Sequence, residues 1–369
     1  MHAFPGALWA AEWSAQPWAN ARAECSDNLQ LRTGHTQSTT GGVMDAGIHL
    51  KRADEQGNVS LTPALRASRY DSSEPLDSND QIVKGAWSRN SERGVWQLDG
   101  EWTHDTTLTS ELEISGLVQT RKRRLLRYLS PSYSFALTAR STIAADVSYT
   151  TVKYGDAQFT GLVNYDYKRA DVSMTYQWSE QSSVTETLYG TRLEAAQIGN
   201  RTDTTGAQIQ VNTALSERWN GTVGFGAYRN HGGIGSTDRN GGLINLSLSR
   251  KDEKGDWRIG VNRSVDPSGT GVLVQRDQLS VTRDHQFDER WHLNASTYWV
   301  VNKDLQSIAA SQDRHYRSAE IRLSRILTRA WRVDASYSYA WQRFAGQNNL
   351  AERNTVMLGI QYSGEQVTE

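Results

Sequence analysis

Long stretches of this chain alternate apolar and polar side chains with a period of two, and that pattern restricts them to β-strands with one greasy face and one wet face. Between 291 and 299, Trp291, Leu293, Ala295, Thr297 and Trp299 share a face, with His292, Asn294 and Ser296 opposite (Tyr298 breaks the run). Trp331, Val333, Ala335, Tyr337, Tyr339 and Trp341 stand against Arg332, Asp334, Ser336 and Ser338. Val172, Met174, Tyr176 and Trp178 oppose Ser173, Thr175 and Gln177, and Ile143, Ala145, Val147 and Tyr149 oppose Thr142, Asp146 and Ser148. No stretch of comparable length has a helical period. No apolar run approaches the roughly 20 residues that a membrane helix needs.

Short polar clusters punctuate the strands. They recur as Leu137-Thr-Ala-Arg140, Trp178-Ser-Glu-Gln181, Leu215-Ser-Glu-Arg218, Phe287-Asp-Glu-Arg290 and Leu327-Thr-Arg-Ala330, with Lys251-Asp-Glu-Lys-Gly255, Ser91-Glu-Arg-Gly94 and Ala53-Asp-Glu-Gln-Gly57 extending the series. Successive clusters lie about 35 to 47 residues apart, room for two strands of roughly 10 to 13 residues and one longer loop. Arg229 to Gly242, rich in Gly, Asn and Asp, is such a loop. Propeller blades repeat at similar intervals, but a blade holds four short strands where this repeat holds two long ones. The reading is all-β: a single transmembrane antiparallel up-and-down β-barrel of about 18 strands, with short periplasmic turns and longer extracellular loops. Sixteen strands is the alternative count, because the first strand (16–26) has the weakest signal. Residues 1–15 are expected to form an N-terminal periplasmic segment, 16–363 the barrel and 364–369 a C-terminal tail.

Composition agrees with such a wall. A mean hydropathy of −0.64 is lean for a soluble core of 369 residues, but suits a sheet whose two faces average out. The balance of 40 basic against 41 acidic residues excludes a bulk electrostatic footprint for nucleic acid. Trp (13) and Tyr (15) outnumber Phe (6), and rings with a polar tip suit a membrane–water boundary. Trp96, Trp219, Trp257, Trp291 and Trp331 each follow a short turn and are expected to ring one interface. Tyr149, Tyr189, Tyr228, Trp299, Tyr339 and Trp341, at the opposite strand ends, are expected to form the second girdle. Cys25 stands alone, so neither an intrachain disulfide nor a multi-cysteine zinc site can form. The opening MHAFPGALWAAEW lacks the basic and apolar regions of a signal peptide, and is read as a mature or misassigned start.

The candidate functional groups are polar residues on the inward faces: Arg22, Glu24, Arg66, Asp99, Glu101, Asp146, Arg258, Arg322, Arg332 and Asp334. They are expected either to line a water-filled path or to form cross-strand ion pairs. Arg121-Lys122-Arg123-Arg124, at the loop end of a strand, is a candidate contact for lipopolysaccharide phosphates or an acidic glycan, since guanidinium forks grip such oxygens. The plainer alternative is a solvated run at a loop mouth. None of the eight histidines has metal-site spacing, and no phosphate loop is present, so no cofactor and no enzymatic activity are expected. An outer-membrane lipid or glycan hydrolase built around His49 or His292 is the weakest alternative.

In Ser110-Glu-Leu-Glu-Ile-Ser-Gly116, Ser130-Pro-Ser-Tyr-Ser-Phe-Ala-Leu-Thr138 and Asn354-Thr-Val-Met-Leu-Gly-Ile-Gln-Tyr362, the chain resembles outer-membrane β-barrel proteins of exopolysaccharide or exosortase gene clusters in Gram-negative bacteria. The resemblance implies export or surface anchoring of an extracellular polysaccharide, with periplasmic export components as partners beside outer-membrane lipids and lipopolysaccharide. A porin-like conduit and a non-conducting structural barrel are the other readings. Val356, Leu358, Ile360 and Tyr362 look like the closing-strand signal read by the barrel-assembly machinery. They depart from it in having Gly359 within the run and seven residues after Tyr362.

Overall fold

The computed structural model describes residues 12–34, 36–111, 121–155, 161–234, 238–306, 313–345 and 350–368. Most of the expected N-terminal segment (1–11) and the 112–116 portion of the Ser110–Gly116 stretch lie outside the described residues.

Strands follow one another along the chain. The first six are β1 (Glu12–Ser26), β2 (Thr39–Asp54), β3 (Gly57–Asp71), β4 (Ser78–Asn90), β5 (Gly94–Thr106) and β6 (Arg123–Ala136). Then come β7 (Ser141–Tyr154), β8 (Tyr165–Gln177), β9 (Ser182–Ala195), β10 (Asn200–Ala214), β11 (Trp219–Gly232) and β12 (Arg239–Asp252). The last long strands are β13 (Gly255–Pro267), β14 (Leu273–Gln286), β15 (Trp291–Asp304), β16 (Arg314–Ile326), β17 (Trp331–Phe344) and β18 (Ala351–Ser363). Each pairs antiparallel with the next, and β1 pairs with β18 from Trp18↔Ser363 to Ser26↔Thr355, closing the ring without a free edge. A two-residue β19 (Val367–Thr368) adds to β1 at Ser14 and Ala15. Among the described residues, helix is limited to single turns at Thr107–Ser110 (α1) and Ala196–Ile198.

The fold is thus a closed antiparallel barrel of eighteen strands. β14 and β18 occupy 273–286 and 351–363, the spans that the sequence pattern predicts for them. β1 starts at Glu12, four residues before the expected 16, because its pairing with β2 runs on to Glu12↔Ala53.

Several of the recurrent polar clusters are tight turns with a shared mechanism. A side-chain oxygen near the start of the turn captures amides two and three residues on. Asp288 Oδ1 accepts from the Arg290 and Trp291 amides at 2.7 and 2.8 Å, and Thr328 Oγ1 from those of Ala330 and Trp331 at 3.2 and 3.1 Å. Ser216 and Thr138 do the same for 218–219 and 140–141. In the Asp288 turn these bonds hold the carboxylate below the usual Asp range. Each of these turn residues follows an exposed apolar side chain: Leu137, Leu215, Phe287 or Leu327.

Candidate functional site

Which face of the wall is interior follows from contacts no neighbouring strand could make. Thr202 on β10 is bonded to Gln306, just beyond β15, five strands further round the ring. Such a contact requires a chord across the lumen, so the Thr202 face is the inner one. The opposite face carries Met44, Leu65, Leu188, Phe225 and Leu358, each more than half exposed. Large aliphatic side chains left uncovered on a continuous belt suit hydrocarbon, not water.

Register then assigns the remaining residues. Arg22, Asp45 and Arg66 fall on the inner face of β1, β2 and β3, with Asp45 taking Arg22 at 3.3 Å and Arg66 at 2.5 Å. Glu24 joins through Arg22 and accepts the Tyr70 hydroxyl. Glu101 faces Lys84, 3.7 Å away. Arg258 reaches Asp256 and Asp284, and Arg322 reaches Glu320. Arg332 donates to Gln361, whose amide in turn donates to Asp334. Asp99 and Asp146 share the inner face of β5 and β7, where Asp146 accepts the Ser130 hydroxyl at 2.9 Å. The ten predicted inward residues therefore share one face but not one site. Many belong to local ion pairs, leaving acid and base interleaved around the wall. A concavity of about 450 Å³ in the short-turn half is lined by Asp284, His292, Asn294, Arg322, Arg332 and Gln361. Asp146 on β7 stands nine strands from Arg322 on β16, hence diametrically across a ring of eighteen.

Two expected girdle residues are corrected. Tyr189 and Tyr228 face inward: Tyr189 pairs with Asp171 and Gly206, and Tyr228 with Gly206 and Gly241. Their rings occupy the space above those glycines. A Cβ at Gly206 would collide with Tyr189, and one at Gly241 with Tyr228. The side-chain-free positions pull the rings to the inside. Trp96, Trp219, Trp257, Trp291, Trp331, Tyr149, Trp299, Tyr339 and Trp341 fall on the outer face.

The basic run also sits differently from the expected rim. Arg124 turns inward and is taken bidentately by Asp105 at 2.9 Å, with both side chains only 10% exposed. Arg123 reaches the buried carboxylate of Asp80 at 3.3 Å. Arg121 is half-buried, and burial lowers its guanidinium pKa from the ordinary value. Arg123 and Arg124 are stitched into the wall, so Arg124 is not presented to an external anion. His49 stacks on Trp18 and meets the Thr62 hydroxyl, with no serine between them.

Sequence gave no warning of what fills the long-loop end. Pairing between β12 and β13 stops at Ile244↔Arg263, whereas β13 and β14 stay paired to Pro267↔Leu273. The tip of that hairpin leaves the wall and crosses the lumen. The Asn200 side chain donates to the Gly271 carbonyl at 2.7 Å, and the Val163 amide donates to Gly269 at 2.8 Å. Leu273 is fully buried with Leu162, Val163, Leu193, Ala195, Val152 and Tyr154, an apolar cluster inside the barrel. Gly271, at φ +74°, gives the tip its sharp reversal. Tyr228 reaches under the displaced hairpin, with its hydroxyl 3.5 Å from Gln275.

A second plug comes from the β1–β2 loop. Leu31 inserts among Val300, Tyr316, Ala340 and Ala351 on the adjoining wall of β15–β18, and its carbonyl accepts from Gln342 at 2.8 Å. Leu31 sits at φ 49°, a left-handed conformation that costs roughly 1–2 kcal/mol. Full burial of a leucine side chain contributes roughly 1.5–3 kcal/mol and offsets that strain. Arg32 next to it grips Glu74 of the β3–β4 loop through both carboxylate oxygens, which holds that carboxyl below its ordinary pKa.

Barrels of this fold exist among solved structures. A BenF-like porin from Pseudomonas fluorescens Pf-5 superposes with a TM-score of 0.55 at 10% identity, covering 95% of this chain and 98% of that one. OccAB4 of Acinetobacter baumannii gives 0.53 at 12% identity (97% and 98%), and OccK2 (OpdF) of Pseudomonas aeruginosa 0.52 at 11% (96% and 98%). The chain has the fold of an outer-membrane porin. No protein-family model matches it, and no curated protein does.

Proposed function

We propose that this chain is an outer-membrane conduit for small solutes, with its extracellular mouth narrowed by two inward-folded segments. The observation that carries the reading is the β13–β14 tip docked on the inner ends of β9 and β10 through Asn200 and Gly271. A chain selected only for structural support has no reason to place a hairpin across its own bore, whereas a selective channel requires a constriction. The fold-level likeness to porins supports both the location and the absence of catalysis. The interleaved acids and bases around the lumen form a polar wall that screens against apolar solutes. Export or anchoring of a polysaccharide is supported by the resemblance alone.

Purified protein in planar bilayers tests the assignment. Discrete conductance steps, with cation and anion permeabilities of similar size, are expected. A barrel that inserts yet passes no current at any voltage, together with loss of surface polysaccharide in a deletion strain, contradicts it.

A further inference from the structure

The outer surface at the long-loop end of β15–β17 carries a cationic patch that the conduit reading does not use. Trp299, Arg317 and Trp341 lie in one row across three strands. The Arg317 guanidinium sits over both indoles, 4.3 and 4.8 Å from their ring centres. One row nearer the loops, His315 pairs with Arg343, and Lys303 lies two residues beyond Val301, the other partner of His315. Glu352, which pairs with Trp341 from β18, accepts the Tyr339 hydroxyl at 3.0 Å. The Asp313 carboxylate is bonded to the Asp304 amide at 2.9 Å. Those neutral donors leave both carboxylates charged, but Lys303, Arg317 and Arg343 outnumber them, so the patch keeps a small net positive charge on a face that otherwise meets lipid.

Its depth identifies the partner. Trp331 and Trp341 on β17 are ten residues apart, about 33 Å of strand at roughly 3.3 Å per residue. At a tilt of about 35–45° this is about 25 Å along the barrel axis, the height of an apolar band. Arg317 thus lies at the upper hydrocarbon boundary, held flat between two amphipathic rings, with Lys303, His315 and Arg343 above it at headgroup level. Indoles seat against acyl chains, and guanidinium forks bind phosphate oxygens.

We propose that this surface binds the phosphate of an outer-leaflet glycolipid. The proposal rests on the outer-membrane orientation, not on conduction. Native mass spectrometry of the detergent-purified barrel with bis-phosphorylated lipid A, its dephosphorylated form or inorganic phosphate reads the binding. Wild type is expected to retain the phosphorylated lipid and little of the dephosphorylated one. The combined Lys303→Ser, Arg317→Ser, Arg343→Ser protein is expected to lose about tenfold or more of that retention. Undiminished retention in a triple variant whose gel mobility still shifts on heating overturns the proposal. If that variant does not fold, Arg343→Gln in raised salt gives the same readout, and unchanged retention there overturns it equally. Displacement of the lipid by millimolar inorganic phosphate would make this a free-anion site and overturn the lipid assignment. Orientation is tested separately by labelling Ser73→Cys, exposed in the β3–β4 loop at the long-loop end, in a Cys25→Ser background, with an impermeant maleimide on intact cells. Failure to label there sinks the orientation, while the mass spectrum reads the lipid site itself.

Discussion

Replacing Asp266–Val274 by Asn-Gly is expected to raise single-channel conductance several-fold. The exchange leaves Val265 and Gln275, partners across β13 and β14, joined by a two-residue type I′ turn that hairpins accept readily. It removes the segment that crosses the lumen, together with Leu273 and Val272, both fully buried. The apolar contacts to Leu162, Val163 and Leu193 go with it, as does the Asn200–Gly271 bond. The wall below Ile244↔Arg263 keeps its pairing, so the barrel should still form. Current through the shortened protein that matches wild type would show that the tip does not restrict the path.

Asp105→Ala is expected to cost the barrel about 3–5 kcal/mol, the usual penalty for stranding one member of a buried ion pair. The pair is bidentate, and both side chains are nearly enclosed, so Arg124 would be left charged without its carboxylate. Removing both charges, as in Asp105→Leu with Arg124→Leu, should recover most of the loss, because the desolvation cost leaves with the charges. Urea midpoints in lipid vesicles measure both. A single variant as stable as wild type would mean that water reaches Arg124 freely.

Much of this molecule was legible because lipid and water impose the same alternation on every strand. One residue of error would turn a whole strand inside out, so 273–286 and 351–363 could be placed from pattern alone. The turns were legible for an equally local reason, a side-chain oxygen at a fixed offset. Tyr189 and Tyr228 were misassigned because an aromatic near a strand end says nothing about which face it takes. Glu186, exposed on the outer face among Met174, Leu188 and Ile209, blurred the parity of β9 just where it was needed. Gly206 and Gly241, which draw those rings inward, act from neighbouring strands. The plugs were illegible for a stronger reason. Ser268-Gly-Thr-Gly-Val272 has ordinary loop composition, and its destination on β9 and β10 is set by contacts with residues about seventy positions away, such as Asn200. Arg124 failed as an external contact for the same reason: its partner Asp105 lies on another strand.

The most direct test places single spin labels along 356–360 of the vesicle-embedded protein, in a Cys25→Ser background. Labels at 356, 358 and 360 should collide with dissolved oxygen, and those at 357 and 359 with a water-soluble nickel chelate. A profile with no two-residue period, or one in which every label meets water, would contradict a lipid-facing wall.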